Sequence, residues 1–343
     1  MTTLQHALDS LIAGEDLDSA RAYAVFSAMM DGAASEIEMA ALLTALRMKG
    51  EGVGEIVGAA RAMHERATPI VTRHRGLLDT CGTGGDRLHT FNVSTATAFV
   101  VAACGVPVPK HGNRSVSSTS GSADVLEQLG VNINLKPEQV SVCLDELRIG
   151  FCFAPLFHSA MRNVAPVRKA LRFRTIFNLL GPLTNPARAA FQLIGTGRKE
   201  MAHRLARALS ELGRDHAFVV CGADQLDEVS LWGTTAAFEV TGTEFVEHRW
   251  TAESFGLPEC RVEDVQVSSP TESAATLRKV FAGEPGPARD LVTANAAAAL
   301  LAAVKVGSLR EGVELAMAVI GEGKVQDLLQ NLVLLSQRLG EAQ

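Results

Sequence analysis

Two glycine-rich segments, DTCGTGGD at 79–86 and KHGNRSVSSTSGSADVLEQLG at 110–130, flank the Ser/Thr-rich run NVST at 92–95. Glycines let backbone N–H groups approach an anion closely, and a helix N-terminus adds donors and a favourable dipole. From Arg87 to Ala123 the chain has no Asp or Glu, whereas Arg87, Lys110 and Arg114 fall inside that stretch. The whole molecule has a formal net charge of -6, so this positive region is local. Such residue types in this order suit a cradle for a polyphosphate. DTCGTGGD is neither a Walker loop nor a dinucleotide fingerprint, because it lacks the Gly-Lys-Ser/Thr ending of one and the third glycine spacing of the other.

Short strands alternating with helices must carry these loops. Gly76–Asp79 reads as a strand leading into the first loop, and Val106–Pro109 as one leading into the second. Ser94 to Cys104 reads as a helix with a Ser/Thr start, ended by Gly105. Ala123–Leu129 reads as a helix capped by Ser122, with Asp124 in its first turn and Gly130 beyond its end. Pro137–Leu147 is a further helix and Gly150–Ala154 a strand. Phe191–Thr196, His216–Cys221 and Ser230–Trp232 read as later strands, with Lys199–Leu212 a helix between the first two. Ala294–Val304, Leu309–Ile320 and Val325–Leu339 read as closing helices. This alternation implies an α/β domain with a largely parallel central sheet, whose ligands lie at the carboxyl ends of the strands.

Residues 1–70 read differently, as helices only. Leu4, Ala7, Leu8, Leu11 and Ile12 recur at helical spacing, Arg21–Met30 forms a second helix, and Ser35 with Glu38 makes a capping box for a third. Glu55–Arg66 is a fourth. Nothing there carries chemistry, so it reads as a packing or subunit-contact domain. The expected organisation is a helical domain at 1–70, joined by helices from about 157–188, and an α/β domain over 71–343.

Bulk composition narrows the class. With 343 residues, 47% hydrophobic and 20% charged, the chain has room for about two domains and a sizeable core. An acidic balance argues against general nucleic-acid binding. There is no signal-peptide pattern and no apolar run long enough to span a membrane. Six cysteines are scattered without a C-x-x-C pair, which reads as buried free thiols in the cytoplasm.

GTGGD, NVST, KHGNRSVSS and GSADVLEQLG, in that order, resemble the anthranilate phosphoribosyltransferases of tryptophan biosynthesis. RTIFNLLGPLTNP at 174–186 and DEVSL at 227–231 extend the resemblance over nearly the whole chain. It implies a small helical domain and a larger α/β domain related in fold to pyrimidine nucleoside phosphorylases, usually assembled as a homodimer through the helical domain. It also implies the joining of anthranilate to phosphoribosyl pyrophosphate with Mg²⁺, two ions being expected, and release of pyrophosphate.

Carried over residue by residue, the resemblance places Gly82, Gly85 and Asp86 at the ribosyl pyrophosphate, with Thr90, Asn92, Val93, Ser94 and Thr95 completing the first wall. Lys110, His111, Gly112, Asn113, Arg114, Ser115, Val116, Ser117 and Ser118 form the second wall, and Ser122 takes a phosphate. Lys110 and Asp86 are the catalytic candidates, Lys110 for neutralising the pyrophosphate. Asp227 and Glu228 match the acidic metal pair and Ser94 the hydroxyl ligand. Adjacent strand residues point to opposite faces, so both acids can serve one site only at a turn or strand end. Gly82, Asn113 and Arg168 match the anthranilate contacts, with Arg162, Arg172 and Arg174 as nearby alternatives for the carboxylate. An arylamine is neutral at pH 7, so no strong base is needed, and His111 is expected to shape its loop. Leu88-His89, Thr119 and Phe173 depart from the family's pattern.

The chemistry needs these types independently. Displacement at an anomeric carbon passes through an oxocarbenium-like state while charge builds on the leaving group, so positioning and electrostatics should dominate. A pyrimidine nucleoside phosphorylase is the alternative reading, but it has no use for a metal pair. A nucleic-acid-binding relative would show a basic surface and eroded phosphate loops, and neither is present.

Overall fold

The computed structural model describes residues 2–115 and 120–341. Four helices open the chain: α1 (Thr3–Ile12), α2 (Ser19–Met30), α3 (Glu36–Lys49) and α4 (Val53–Glu65). The capping box at Ser35 forms, with Ser35 Oγ accepting from Glu38 N and Ser35 N donating to Glu38 Oε2 at 2.9 Å. The apolar stripes of these helices close around Phe26, Met29, Leu42, Leu43 and Ile56. Val164, Val167, Ile176, Phe177 and Leu180 join the same cluster from much later in the chain.

The α/β part begins with β1 (Leu78–Asp79), α5 (Val93–Ala103), β2 (Val108–Gly112), α6 (Ser122–Leu129), α7 (Pro137–Leu147) and β3 (Ile149–Phe153). Short helices α8 (Ala154–Phe157), α9 (Ala165–Leu171) and α10 (Phe177–Leu180) lead back across the helical bundle. Next come β4 (Phe191–Gly195), α11 (Lys199–Leu212), β5 (His216–Cys221), β6 (Thr235–Thr241) and β7 (Glu244–Trp250). The chain closes with α12 (Ala252–Phe255), α13 (Pro270–Phe281), α14 (Pro287–Ala302), α15 (Leu309–Gly321) and α16 (Lys324–Glu341).

The five-stranded sheet has the order β1-β4-β5-β6-β7. Its site-bearing half, β1, β4 and β5, is parallel, and β6 and β7 complete it as an antiparallel hairpin. A separate parallel pair, β2 with β3, is stitched to β1 by Leu78 N donating to Pro107 O at 2.9 Å. Together these give a mostly parallel α/β domain beside a small helical one.

Side chains of β5 alternate between two cores. Phe218 and Val220 face the cluster under α5 and α14, whereas Ala217, Val219 and Cys221 face the cluster shared with the helical bundle. Among the described residues no helix is long and apolar enough to cross a membrane.

Two local expectations need correction, and the β6–β7 hairpin and α13 lie outside the expectations. Ser230–Trp232 is loop, not strand, because Ser230 is folded back by Thr235, whose Oγ1 accepts from Ser230 N at 3.0 Å. The strand pairing with β5 is β6, which starts at Thr235, and its hairpin with β7 gave no turn signal stronger than Gly242. Helix α6 begins at Ser122 and is capped by Gly121, with Asp124 returning to Gly121 N at 3.0 Å. Helix α13 is absent from the sequence expectations, although Ser269 caps it by accepting from Glu272 N at 3.1 Å.

Candidate active site

Segments that follow β1, β2 and β3 meet the start of α5 and the loop after β5 over one cavity of about 760 Å³. The first glycine loop is folded onto the end of β4, with Thr83 N donating to Gly195 O at 2.8 Å. It then turns through left-handed backbone at Gly84, Gly85, Arg87 and His89. For Arg87 and His89 that conformation is strained, and His89 is one of the departures noted above. At Gly85 the absent side chain has a purpose, because a Cβ there would collide with Arg174 Nη1. Arg174 Nη2 donates to Thr83 O at 2.7 Å. Arg174, an alternative for the acceptor carboxylate, is thus packed on the first loop.

Behind this loop lie the acids. Asp86 accepts from Leu88 N at 3.0 Å through Oδ1 and from Asp227 N at 3.5 Å through Oδ2. The chain after β5 turns through left-handed Asp224 and Gln225, and that turn lets Asp227 and Glu228 share one cavity. Trp232 Nε1 holds the turn by donating to Asp224 Oδ2 at 3.0 Å. Asn295 of α14 holds the other side, accepting from Val229 N at 2.9 Å and donating to Val229 O at 3.0 Å. Gly195 makes the approach possible, since a Cβ there would run into the Asp227 carbonyl.

Glu228 Oε1 accepts from Ser94 N at 3.0 Å, joining the pair to the first turn of α5. Burial pushes the Glu228 carboxyl up to about 8, with the Lys110 charge pulling the other way. Burial likewise raises Asp227 well above the carboxylate range, helped by the charges of Asp86 and Glu228. Crowded carboxylates with a serine hydroxyl beside them are a set of hard oxygen donors, which is what Mg²⁺ requires.

Lys110 lies within β2, buried, with Nζ donating to Thr80 O at 3.1 Å and His111 O at 3.5 Å. Asp79 braces this strand, accepting from His111 N at 3.3 Å and from Asn185 Nδ2 at 2.8 Å. His111 Nδ1 faces Gly181 O at 2.8 Å, and its Nε2 faces His158 Nε2 at 3.2 Å. A carbonyl only accepts, so His111 carries its proton on Nδ1 and accepts from His158 Nε2–H. Burial lowers both rings, His158 to about 3, and keeps them neutral. Asp79, Cys81 and His111 stand close enough to hold an ion. Asp79 and His111 are committed to these bonds, however, and burial pushes the Cys81 thiol up to about 12. They brace the wall.

Of the expected phosphate contacts, Gly82, Gly85, Asp86, Thr90, Asn92, Val93, Ser94, Lys110, His111, Gly112, Asn113, Ser115 and Ser122 line the cavity. Thr95 does not; it points into the core beneath α5, with Oγ1 buried and unpartnered. Arg114 reaches the rim, but Glu127 takes both ends of its guanidinium at 2.6 and 2.8 Å, and Asp124 takes one at 3.1 Å. The acid-free stretch ends just before these two residues, and α6 folds them back onto it. Val116, Ser117, Ser118 and the departure at Thr119 lie outside the described residues.

Arg168 also lines the cavity and stands over the Phe177 ring, 5.5 Å from its centroid. Burial lowers its pKa, and among the described residues no carboxylate lies within ion-pair distance of it. Met63, Met161, Phe177 and Pro182 supply apolar surface to the cavity. The sequence reading missed Met63, His158 and Phe177 as site residues. Phe177 and Pro182 lie inside the FNLLGP run, a signal that was present, whereas Met63 sits in an ordinary helix with none.

A helical bundle joined to an α/β domain, with glycine loops and an acidic pair over one cavity, defines a glycosyl transferase architecture. The family models agree: residues 5–67 match the helical bundle domain of a glycosyl transferase family and residues 74–326 its a/b domain. The anthranilate phosphoribosyltransferase of Chromobacterium violaceum is 48% identical over 341 residues, covering 99% of this chain and 100% of that one. Among solved structures, anthranilate phosphoribosyltransferase from Thermus thermophilus superposes with a TM-score of 0.90 at 44% identity, covering 96% of this chain and 99% of that chain. The Saccharomyces cerevisiae enzyme in complex with PRPP and Mg superposes at 0.89 with 26% identity, covering 98% of each chain. This chain belongs to the anthranilate phosphoribosyltransferase family.

Proposed function

We propose that this cavity transfers the phosphoribosyl group of phosphoribosyl pyrophosphate to the amine of anthranilate, giving N-(5-phosphoribosyl)anthranilate and pyrophosphate. The observation that carries this is the cavity's polarity. Glycine loops, an acidic pair and a buried arginine without a carboxylate partner among the described residues line the same cavity.

In the reaction the bond from the anomeric carbon to the pyrophosphate oxygen breaks, and its electron pair leaves with pyrophosphate. The amine lone pair forms the new carbon–nitrogen bond, and the nitrogen then gives up a proton. Backbone N–H groups of the first loop and the N-terminus of α5 receive the phosphates. Lys110, held in place by two carbonyls, lends its positive charge to the departing group. Asp227, Glu228 and Ser94 would hold Mg²⁺, as two ions, and Mg²⁺ supplies charge neutralisation at the pyrophosphate when bound. Asp86 links that set to the first loop.

Arg168 pairs with the anthranilate carboxylate while Phe177, Met63 and Pro182 cover the ring. Gly82 and Asn113 complete the acceptor's surroundings. No strong base is required, and the neutral His111–His158 pair shapes the wall between the two substrates.

The same reading assigns residues 1–70 and about 157–188 to one helical domain and gives the enzyme a homodimeric form. Exposed Ile12, Ile37 and Met48 on α1 and α3 support a second copy docking there. Six free cysteines support a reducing, cytoplasmic setting.

The test is loss of anthranilate fluorescence on mixing purified protein with anthranilate, phosphoribosyl pyrophosphate and Mg²⁺, with EDTA as control. Metal-dependent loss that needs both substrates is expected. Uridine or thymidine phosphorolysis in its place would overturn the proposal. A monomer in sedimentation at micromolar concentration would remove the dimer.

A further inference from the structure

Helix α13 sends no side chain into the cavity, yet it reaches both phosphate-binding walls through one buried hydroxyl. Ser273 Oγ accepts from Asn92 N at 3.0 Å and donates to Asn92 Oδ1 at 2.7 Å. Asn92 Oδ1 also accepts from Ser120 Oγ at 2.7 Å, and Asn92 Nδ2 donates to Ser120 O at 3.1 Å. Asn92 is the cap of α5, in the first wall, and Ser120 is a foot of the second loop. Asp124 anchors the ground on either side, accepting from Ser115 N and Gly121 N at 3.0 Å each. Helix α13 also grips the far end of the helix that carries Asp124. Thr271 Oγ1 donates to Gln128 Oε1 at 3.3 Å, and Arg278 Nη2 donates to the carbonyls of Gln128 and Leu129.

Hydrogen-bond accounting gives Ser273 its importance. An amide side chain has two acceptor sites and two donors. Both acceptor sites of Asn92 are filled by Ser273 and Ser120, and one donor is given to Ser120 O. The orientation of the amide is therefore fixed, and one N–H remains to face the cavity that Asn92 lines. Without the Ser273 hydroxyl, Asn92 N loses its acceptor and the amide is held from one side only. The spacing between the two walls then depends on the Ser120 contacts.

We propose that Ser273 is a positioning residue for the phosphorylated donor substrate, acting through Asn92 to set the separation of the two phosphate walls. This rests on the assignment of phosphoribosyl pyrophosphate to the cavity. A pair of hydrogen bonds in a buried place justifies an effect of about tenfold.

The experiment is steady-state kinetics on Ser273→Ala, with calorimetric binding of inorganic pyrophosphate in the presence of Mg²⁺ as a second readout. KM for phosphoribosyl pyrophosphate is expected to rise about tenfold, and the pyrophosphate dissociation constant with it. KM for anthranilate should stay unchanged, and Ser273→Thr, which keeps the hydroxyl, should recover most of the loss. Combining Ser273→Ala with Asn92→Ala should add nothing to Asn92→Ala alone. Wild-type donor kinetics in Ser273→Ala overturns the proposal, as do equal rises in both KM values or full additivity with Asn92→Ala. If the cavity did not use this donor, the wild-type protein itself would show no turnover, so the two failures are distinguishable.

Discussion

The donor end of the cavity is built almost wholly from backbone and short polar side chains, each tied to a neighbour. Asp86 spans two backbone amides, Glu228 is joined to Ser94, and Asn92 is bound on both sides. The surroundings of Arg168, proposed as the acceptor's, have the opposite character. Arg168 has an aromatic ring beneath it, no ion-pair partner among the described residues, and apolar side chains from separate elements around it. Groups held rigid by their own hydrogen bonds suit a ligand whose charge changes during reaction, because little reorganisation is needed as that charge develops. A buried cation without a carboxylate partner suits a ligand of constant charge, whose carboxylate would serve as its counterion.

That contrast can be broken at its strongest point first. Asp227→Asn with Glu228→Gln keeps shape and removes the acidic pair, so turnover should fall by about 10³-fold or more while circular dichroism stays unchanged. Near-normal activity would strip the acids of their role.

Gly195→Ala tests the packing behind the pair. Its Cβ would overlap the Asp227 carbonyl, so the acidic turn must move. A displacement near 1 Å in a positioned group costs about 10²-fold in kcat/KM. Retained activity would mean that the turn is far softer than its bonds to Asn295 and Trp232 suggest.

Arg168→Gln sharpens the comparison at the other end. KM for anthranilate should rise about 10- to 100-fold, the worth of a charge-assisted contact, with KM for the donor unchanged. A rise confined to the donor would reverse the assignment of the two ends.

The smallest effect concerns pH. Above pH 6.5 His158 is neutral whether folded or unfolded and contributes nothing to the pH dependence. Below that value the unfolded chain takes up a proton that the buried ring refuses until about pH 3, so stability falls across this window. At pH 5 the loss is about 2 kcal/mol from this residue. Denaturant unfolding of wild type and His158→Asn at pH 7.5 and pH 5 should show a shallower loss in the variant. Parallel losses would mean the ring is solvated.

The donor end was legible in the sequence because its chemistry is local. GTGGD, NVST and the second loop each bring their donors within a few residues, and glycine spacing marks them. Even so, pattern could not tell that Thr95 faces the core while Ser94 beside it faces the cavity, because that depends on the helix phase fixed by Asn92. Nor could it show Arg114 captured by Glu127, a pairing made by the return of α6. Other lining residues were less legible, since Met63, His158 and Phe177 come from three separate segments, each with an ordinary reason to be apolar or buried. The β6–β7 hairpin was missed because Ser230–Trp232 mimics a strand, while the true partner of β5 begins beyond a turn held by Thr235.

Strand β5 separates two cores by the thickness of a single pleat. The frontier between the helical bundle and the α/β domain therefore runs along α11, packed on α4 on one side and on the sheet on the other, and is not a linker that could be cut. A chain severed near residue 70 would leave Ala217, Val219 and Phe238 without the bundle's share of their cluster, and the bundle without Val164 and Phe177. Modularity, in the sense of parts that can be exchanged or evolved separately, stops at that surface. Wide hinge opening between the two parts would expose their shared cluster, so relative movement is expected as small sliding steps between packed elements.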